Sequence, residues 1–513
     1  MKHSIQIIFI IIVLSNTIKV YAQDVHYWAQ TYGTESTLLG GAVIGSVNDL
    51  GATYYNPGKL SLTDDPNFLF SARIFEYASL TLKPKDATIS GISESYLRPS
   101  PAFIVYNLSA DWLGEHKVAF SILTRHTFDV RLKTRFIGNV ESTDISNEII
   151  YEGNAEQYWG GITWSYPFKG KYGFGIGITN YFAIRNYRSR NSVNIQSTDT
   201  STSVGILSAV SEYDYYNVGI LWKAGIGYTF EKIKFGLTVT TPTLNLLGSG
   251  EVDVNINSSG MDLDGDEQPD EFLVSNYQTD ISSKYKSSLA LGFGIYYKFS
   301  SFKIHLAGEY FWGVDKFNVL TSNSFQSQTG GLTLKNNLTH ALKPVFNYGV
   351  GLEYLINEKV TTYAAFTTDH SALDTDENSN HSYLKWDYYH ISAGAAVSVK
   401  KIELTFGLSL AFAGDDISVP ILPLSESNEV DFVLQKQGAE VSSYRLKFIL
   451  GLTRGRRRRP GSRGREPSMR ARPGCGPRPG HGPRRGGGAR GDRGGRPPRP
   501  ARPCRPASGR PPG

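Results

Sequence analysis

The residues best spaced to bind a metal ion lie in the acidic run 262–271. Carboxylate oxygens are the ligands that Ca²⁺ prefers, and this run places aspartates at positions 1, 3, 5 and 9 of a calcium-binding loop. Glu267 stands where such loops have glycine, and Leu273 stands where they have a bidentate acid. The run therefore predicts either a Ca²⁺ site that would rigidify the loop or a solvated acidic loop tip. The four aspartates are Asp262, Asp264, Asp266 and Asp270.

Short motifs of enzyme active sites are missing from the sequence. It has no Gly-x-Ser-x-Gly nucleophile elbow, no glycine-rich phosphate loop followed by Lys-Ser or Lys-Thr, and no His-Glu-x-x-His zinc motif. The sequence therefore predicts no catalytic residue and no cofactor besides the candidate Ca²⁺. The chain is not expected to be an enzyme.

The positive charge of the chain is concentrated at its C-terminal end. The full chain has 53 Lys and Arg against 47 Asp and Glu, a formal net charge of +6. Residues 454–513 alone hold 19 Arg against two acids, which leaves the preceding 453 residues with a net charge of −11. Cys475 and Cys504 are also in this tail, so a disulfide scaffold is excluded for the body. All 30 Tyr, 26 Phe and 7 Trp precede the tail, and a body so rich in aromatic residues is not disordered.

The tail has the composition of a disordered segment. It contains no Ile, Leu, Val, Phe, Tyr or Trp and therefore cannot form a core. Its arginine runs would attract phosphate groups, but base stacking needs aromatic side chains, so no nucleic-acid partner is predicted. Arg, Gly, Pro and Ala have GC-rich codons, unlike the Lys, Ile, Asn, Tyr and Phe of the body. The hypothesis is that a frameshift, a vector or an assembly error produced residues 454–513. Sequencing the source DNA across Thr453–Arg454 tests it.

Residues 1–22 have the order of a secretory signal peptide. A polar start precedes the apolar core Ile5–Leu14 and the small-residue site Val20–Ala22. Cleavage between Ala22 and Gln23 is predicted, so the mature chain is expected to leave the cytoplasm. The longest strongly apolar run has eight residues, whereas a membrane-spanning helix needs about 20. A helical membrane protein is therefore not expected.

Residues 65–453 alternate between apolar and small or polar side chains with the period of β-strands. From residue 402 to 412, every even position is apolar and every odd position is small or polar. Such runs reach ten or more residues, longer than the ~5–6 of ordinary strands. Six tight turns alternate with long polar segments that are expected to be extracellular loops, among them 132–155, 187–212 and 244–283. The pattern predicts an all-β fold, an antiparallel transmembrane β-barrel of about 14 strands.

Residues 23–64 precede the first strand and do not alternate. They contain Gly40-Gly41-Ala42 and, just before the barrel, Asn56-Pro57-Gly58. In this order the residues resemble the N-terminal hatch signature of the FadL/TodX/OmpP1 family, whose pattern has Asn-Pro-Ala where this chain has Asn-Pro-Gly. The alternative is an ordinary turn, because these residue types build turns in many proteins.

The resemblance implies a plugged outer-membrane barrel that takes up long-chain fatty acids or similar hydrophobic compounds without ATP. Residues 23–64 would be the hatch (plug) in the lumen, and substrate would leave sideways near the third strand. The third predicted strand, His116–Phe136, contains neither glycine nor proline, so the sequence predicts no kink there. The expected partners are fatty acids, aromatic hydrocarbons and outer-membrane lipid, and the protein is expected to be a monomer.

Two other functions fit the barrel pattern. A water-filled porin of general specificity would need no plug, and residues 23–64 argue against it. A structural or adhesive barrel would bind a host or a matrix through its loops, but no loop has repeats or an adhesin-like composition. Inward charges such as Lys223, Arg445 and Lys447 either meet a carboxylate head group or are ordinary polar lining of the lumen.

Overall fold

The computed structural model describes most of the chain between residues 25 and 454. The predictions for the signal peptide, for the tail beyond residue 454 and for the four candidate Ca²⁺ ligands concern residues outside the description, apart from the backbone of Asp270. Outside it lie Ala22, Gln23, Asp262, Asp264 and Asp266. The described ranges are 25–63, 68–84, 92–98, 102–108, 110–140, 143–168, 173–198, 204–261, 268–374, 386–399, 402–421 and 435–454.

Three one-turn helices lie in residues 25–63, which we call the inner segment. They are α1 (Glu35–Leu38), α2 (Ala52–Tyr55) and α3 (Pro57–Leu60). Proline suits the first position of α3, because a backbone N–H there would have no partner within the helix. A 3₁₀ turn, Asp111–Leu113, is the remaining helical element of the described ranges. No helix in these ranges is long and apolar enough to cross a membrane.

Antiparallel strands make up almost all of the remaining described structure. Seventeen of them form one sheet, and β13 with β16 and β14 with β15 form two small ribbons. The strands are β1 (Phe68–Pro84), β2 (Ile92–Arg98), β3 (Ala102–Leu108), β4 (Lys117–Val140), β5 (Thr143–Phe168), β6 (Gly173–Thr198), β7 (Val204–Phe230), β8 (Ile233–Thr240), β9 (Leu244–Met261), β10 (Asp270–Ser282), β11 (Ala290–Lys298), β12 (Phe302–Phe311), β13 (Val314–Leu320), β14 (Phe325–Gln326), β15 (Thr333–Leu334), β16 (Leu338–Leu342), β17 (Val345–Leu355), β18 (Val360–Asp369), β19 (Tyr388–Val399), β20 (Ile402–Ile421) and β21 (Gln435–Arg454).

The large sheet closes into a barrel. β21 pairs with β20 on one side and with β1 on the other, so the series of pairings returns to its start. Three positions around the barrel are each shared by two successive strands, namely β2 with β3, β8 with β9, and β10 with β11. The strands therefore occupy fourteen positions, which confirms the predicted fold class.

The two faces of the wall differ as the alternation predicted. On β20 the even-numbered apolar side chains point outward and are 39–50% exposed, whereas Thr405 and Ala411 between them are buried. Apolar surface in water is unfavourable by about 25 cal/mol per Å², so an outer face of this kind suits lipid. The outward residues of β20 are Leu404, Phe406, Leu408, Leu410 and Phe412.

One side of the barrel is much taller than the other. β5, β6 and β7 have 26, 26 and 27 residues, whereas β17 and β18 have 11 and 10. At ~3.3 Å per residue, each of the three long strands is about 50 Å longer than β17 or β18. The prediction of long loops at 132–155, 187–212 and 244–283 was therefore wrong, because most of these residues continue the strands.

Two kinds of contact hold the tall side together as a sheet. On its outer face ion pairs link neighbouring strands, with nitrogen–oxygen distances of 3.0 Å for Arg131–Glu152 and 2.9 Å for Lys133–Glu148. On its inner face apolar side chains form a buried cluster that includes Ile149, Val193, Leu207 and Val254. Exposed ion pairs each contribute only about 0–1 kcal/mol, so the inward cluster supplies most of the stabilisation.

Candidate functional site

The barrel wall encloses the inner segment. The segment contacts strands from β4 round to β21: the Tyr32 hydroxyl donates to the Thr124 carbonyl oxygen at 2.8 Å, and Lys447 Nζ donates to the Ala29 carbonyl oxygen at 2.7 Å. Nearly all of its side chains are buried. The inner segment therefore occupies the interior of the barrel.

Glycines of the wall face the inner segment, and we call this set the glycine ring. A Cβ built on any of them would lie less than 3 Å from an atom of the segment, closer than real Cβ atoms come. Glycine is the residue that allows such close approach of backbone. The ring therefore fits the inner segment without space for side chains in between. Its members are Gly175, Gly177, Gly225, Gly227, Gly236, Gly294, Gly351, Gly394, Gly407 and Gly451.

Asn56 joins three parts of the interior. Its Oδ1 accepts a hydrogen bond from the Gly58 N–H at 3.0 Å and thereby caps α3. Its Nδ2 donates to the carbonyl oxygens of Ile44 in the inner segment and of Ile226 in β7, both at 2.9 Å. A side chain with an acceptor and two donors on one planar group is needed for all three bonds, which explains asparagine at this position.

Gly40 and Gly41 reverse the chain after α1. Their φ angles are +62° and +79°, in the region that side chains disfavour. A Cβ on Gly40 would also lie 2.9 Å from Cγ2 of Thr367 in β18. Glycine is therefore required at both positions by the backbone conformation. At Gly40 it is also required because the barrel wall leaves no room for a Cβ.

The first residues of the inner segment are attached by both apolar packing and polar bonds, since Val25, Tyr27 and Trp28 belong to a buried hydrophobic cluster. We call residues 25–31 the leading strip. The Trp28 N–H donates to Asp369 Oδ1 at 2.9 Å, and the Tyr27 hydroxyl lies 2.8 Å from Ser288 Oγ. The Val25 carbonyl oxygen accepts from the Ala372 N–H at 2.9 Å. The strip thus differs from residues 33–63, which face the glycine ring.

A cavity lies between the leading strip and the wall. It contains about 450 Å³ of empty space, including the part open to solvent. A second space of about 340 Å³ shares Tyr27, Tyr54, Lys223 and Glu309 with it. The first lining combines four aromatic rings and two cations with four hydroxyl side chains, namely Tyr27, Tyr54, Trp159 and Phe311, Arg125 and Lys223, and Thr240, Thr241, Ser287 and Ser288.

The charges of the cavity form a connected set. Lys223 Nζ lies 3.5 Å from Glu309 Oε1, and Glu309 Oε2 accepts a hydrogen bond from Trp28 Nε1 at 2.9 Å. The Arg125 guanidinium lies 5.4 Å from the ring centroid of Trp159, and such contacts between cations and rings are attractive. With two cations against one carboxylate, the lining has apolar walls and a net positive charge.

β4 is irregular beside this cavity. Its register against β5 shifts between Thr124 and His126, so Arg125 is the extra residue of a β-bulge. β4 pairs with β3 as far as Leu123, and beyond that point the described residues show no ladder between β4 and β2. The expectation of a regular third strand was wrong, because a bulge needs neither glycine nor proline.

Solved structures share the fold of this chain. A FadL homologue from Pseudomonas aeruginosa is similar with a TM-score of 0.54 over 84% of this chain and 99% of its own, at 11% sequence identity. The Pseudomonas putida toluene transporter TodX is similar with a TM-score of 0.50 over 83% of this chain and 99% of its own, at 14% identity. This chain has the FadL/TodX fold. No family model and no curated protein matches its sequence.

The FadL/TodX fold confirms the resemblance drawn from the residues around Gly40 and Asn56. Neither similar structure is described as an enzyme, in agreement with the sequence prediction. The inward cations have different places in this fold. Lys223 lines the cavity, Lys447 holds the leading strip, and the Arg445 guanidinium lies 4.5 Å from the ring centroid of Tyr388.

Sequence reasoning missed two residues of the cavity. The alternation of β12 places Glu309 on the inward face, and this was the signal in the sequence. Nothing distinguished it from the ordinary polar lining of a barrel. Arg125 continues the inward series of Ala119, Ser121 and Leu123, but nothing in the sequence distinguished it from ordinary polar lining. The bulge brings the next residue, His126, inward as well, so that the two are 4% and 6% exposed.

Proposed function

We propose that this protein is a passive transporter of the outer membrane for hydrophobic compounds that carry a carboxylate, such as long-chain fatty acids. The observation that carries the proposal is the cavity in which aromatic walls meet Arg125 and Lys223. A neutral hydrocarbon needs no cation, whereas charge-assisted hydrogen bonds to arginine and lysine are strong anchors for a carboxylate. TodX is described as a toluene transporter, so aromatic hydrocarbons are the competing substrates.

The outer surface supports a location in the outer membrane. On β6 the outward residues Ile178, Phe182 and Ile184 are exposed and apolar, and the outward residues beyond them include Arg188 and Arg190. An apolar band followed by a charged surface is typical of outer-membrane barrels. We therefore place the band in lipid and the tall charged side in the extracellular medium.

The inner segment supports the proposal of a plug. The segment contacts the wall from β4 to β21 and fits closely against the glycine ring, and a cavity remains beside the leading strip. Residues 23–64 then serve as a hatch that blocks free diffusion of water-soluble molecules. A general porin would need an open lumen instead.

The β-bulge at Arg125, just beyond the last described pairing of β4 with β3, supports a sideways route. Each CH₂ group of an acyl chain returned to water is unfavourable by about 0.8 kcal/mol, so a path from an apolar cavity directly into lipid avoids a large barrier. Arg125 lines the cavity and is also the bulged residue of the wall. A substrate held by its carboxylate at this residue would have its chain next to the bulge.

Binding measurements on matched ligands test the substrate class. We expect the full-length protein in detergent to bind hexadecanoate more tightly than hexadecanol or toluene, and Lys223→Met to weaken hexadecanoate binding about tenfold, the effect of ~1.4 kcal/mol. Lys232→Met, at an exposed turn, is the matched control. Equal loss for the acid and the alcohol would contradict recognition of the carboxylate.

Conductance in planar bilayers tests the plug separately. The full-length barrel is expected to be nearly silent, and deletion of residues 23–64 is expected to open a large, steady conductance. A steady conductance in the undeleted protein would favour the general porin, whatever the binding results.

A further inference from the structure

His26 of the leading strip is buried in a cluster of titratable groups on the barrel wall. His26 and Asp369 of β18 are 4% and 0% exposed, and His390 of β19 is 9% exposed. Asp369 Oδ2 lies 3.6 Å from His26 Nδ1 and 3.7 Å from His390 Nε2. The same carboxylate holds the strip, because its Oδ1 accepts the Trp28 N–H. Attachment of the strip and titration of the cluster are therefore linked.

The position of the proton on His26 follows from its contacts. Nδ1 lies 3.2 Å from the carbonyl oxygen of Asp369, which can only accept, so Nδ1–H is the donor. A second proton would have to bind Nε2, which is buried and has no hydrogen-bond partner among the described residues. A buried charge without such a partner is strongly unfavourable.

We propose that His26 is a pH-sensitive latch, and that acidification of the medium releases the leading strip from the barrel wall. Histidine is the side chain whose charge changes near neutral pH. A protonated His26 is accommodated better in water than in this pocket, so protons favour the released strip. The release rests on the geometry alone, whereas its meaning as a gate for transport rests on the proposed function.

The surrounding charges act in both directions, and burial dominates. Burial lowers the pKa of His26 from its usual 6.5, the Asp369 carboxylate raises it in part, and the Arg445 guanidinium of β21 lowers it further. Groups facing the cluster from every packed element are Asp369 of β18, Tyr388 and His390 of β19 with the preceding Asp387, Arg445 and Lys447 of β21, Glu76 of β1, and His126 of β4.

The sign of the effect follows from the two pKa values. A released His26 has a pKa near its usual 6.5, and the attached one has a lower pKa. As the pH falls below 6.5, the attached state therefore binds fewer protons than the released state. Attachment is therefore strongest above about pH 7 and weakens as the pH falls through 6.5. One histidine can shift the equilibrium by at most about 30-fold at pH 5.

Cysteine labelling of the full chain measures the release without any substrate. The natural cysteines, Cys475 and Cys504, are replaced by serine, and Ala29→Cys, 5% exposed in the attached strip, is the reporter. Each rate is divided by that of Trp112→Cys, which is 78% exposed, so that thiol ionisation cancels. Ala52→Cys, at a fully buried position of α2, reports on the rest of the inner segment.

We expect the relative labelling of the Ala29→Cys variant to rise between about pH 8 and about pH 5, by up to about 30-fold, while that of the Ala52→Cys variant stays constant. His26→Asn keeps a donor near the Nδ1 position without a titrating ring and should abolish the rise, and His26→Gln serves if that variant does not fold. His390→Gln should retain the rise.

Three results would overturn the latch: no rise in the Ala29→Cys variant, a rise that survives in both His26 variants, or an equal rise in the Ala52→Cys variant. Labelling that depends on pH as expected, together with no preference for hexadecanoate over hexadecanol and a steady conductance in the undeleted protein, would retain the latch and remove the proposed transport function. The two proposals therefore fail separately.

Discussion

Gly58 lies so close to Gly225 that a Cβ on Gly58 would come within 2.5 Å of the Gly225 carbonyl oxygen. The carbonyl oxygen of Gly175 would lie 2.8 Å from the same atom. The signature to which this segment is similar has alanine at this position. The glycine of this chain is therefore part of its fit to β6 and β7, and not a neutral exchange of small residues.

Alanine at position 58 should loosen the inner segment. Gly58→Ala forces backbone of β6, β7 or α3 to shift, and overpacking of this kind destabilises by ~1–3 kcal/mol. The measurement is the relative labelling of Ala52→Cys, which we expect to rise about tenfold. Gly160→Ala is the matched control, because a Cβ there meets no atom within 4 Å. Equal labelling of the two variants would show that the fit is not tight.

Loss of the two Asn56 donors should release α3 locally. Asn56→Asp keeps the acceptor for the Gly58 N–H but cannot donate to Ile44 and Ile226. Unsatisfied buried acceptors are unfavourable by ~1–3 kcal/mol, so amide exchange in residues 52–63 should accelerate by at least fivefold, as measured by mass spectrometry. The exposed Asn255→Asp should leave that exchange unchanged. If the amides of residues 52–63 exchange as slowly in Asn56→Asp as in the parent protein, the two bonds donated by Asn56 do not hold α3 in place.

Lys59 should make stability depend on pH in the alkaline range. Its Nζ is buried and donates to the Tyr228 carbonyl oxygen and Thr229 Oγ1, each at 3.2 Å. Burial, with the nearby Lys234 charge, lowers the pKa of Lys59 from 10.5 to about 7. The unfolded chain binds this proton more tightly, so the free energy of unfolding should fall as the pH is lowered from 10.5 to 7 and then level off.

The difference between the parent protein and Lys59→Met isolates this effect. Urea unfolding in detergent should show the parent losing stability relative to the variant across that range, since methionine does not titrate. Lys232→Met, exposed at a turn, should follow the parent. Parallel curves for the parent and Lys59→Met would mean that Lys59 stays protonated in the folded barrel.

Removal of the Glu309 charge should raise affinity for carboxylates. Glu309→Gln leaves Lys223 without its anion, while the amide oxygen still accepts from Trp28 Nε1. Hexadecanoate binding should strengthen about tenfold, the effect of ~1.4 kcal/mol, and hexadecanol binding should be unchanged in calorimetry. Gln328→Glu, a change of charge outside the cavity, is the control. An equal gain in affinity for hexadecanoate and hexadecanol would mean that the substitution acts through packing and not through charge.

The strand faces of the barrel were predictable because burial follows period two. Leu404 to Phe412 showed their outward face in the sequence alone, and the fourteen positions followed from the turns. The tall side was not predicted, since the upper residues of β4–β7 are as polar as loops on their outer face. Pairs such as Arg131–Glu152 are visible only when the register is known.

The site was less predictable than the fold. Asn56 and the neighbouring glycines could be found because their residue types have few alternatives at such turns. Arg125 and Glu309 could not, since a cavity depends on which distant strands lie opposite each other. The bulge at Arg125 was not predictable either, and a one-residue slip changes the face of every side chain beyond it.

The close fit of the glycine ring also determines the order in which this chain can fold. Ala29 and Lys447 meet across 418 residues of sequence, and contacts so far apart form late. A finished barrel would offer no passage for the inner segment, because the wall already touches the segment on eight strands. Residues 33–63, which face the glycine ring, are therefore expected to be inside before β1 and β21 join. The inner segment is made before every strand of the barrel, and the last seam is expected to close around it.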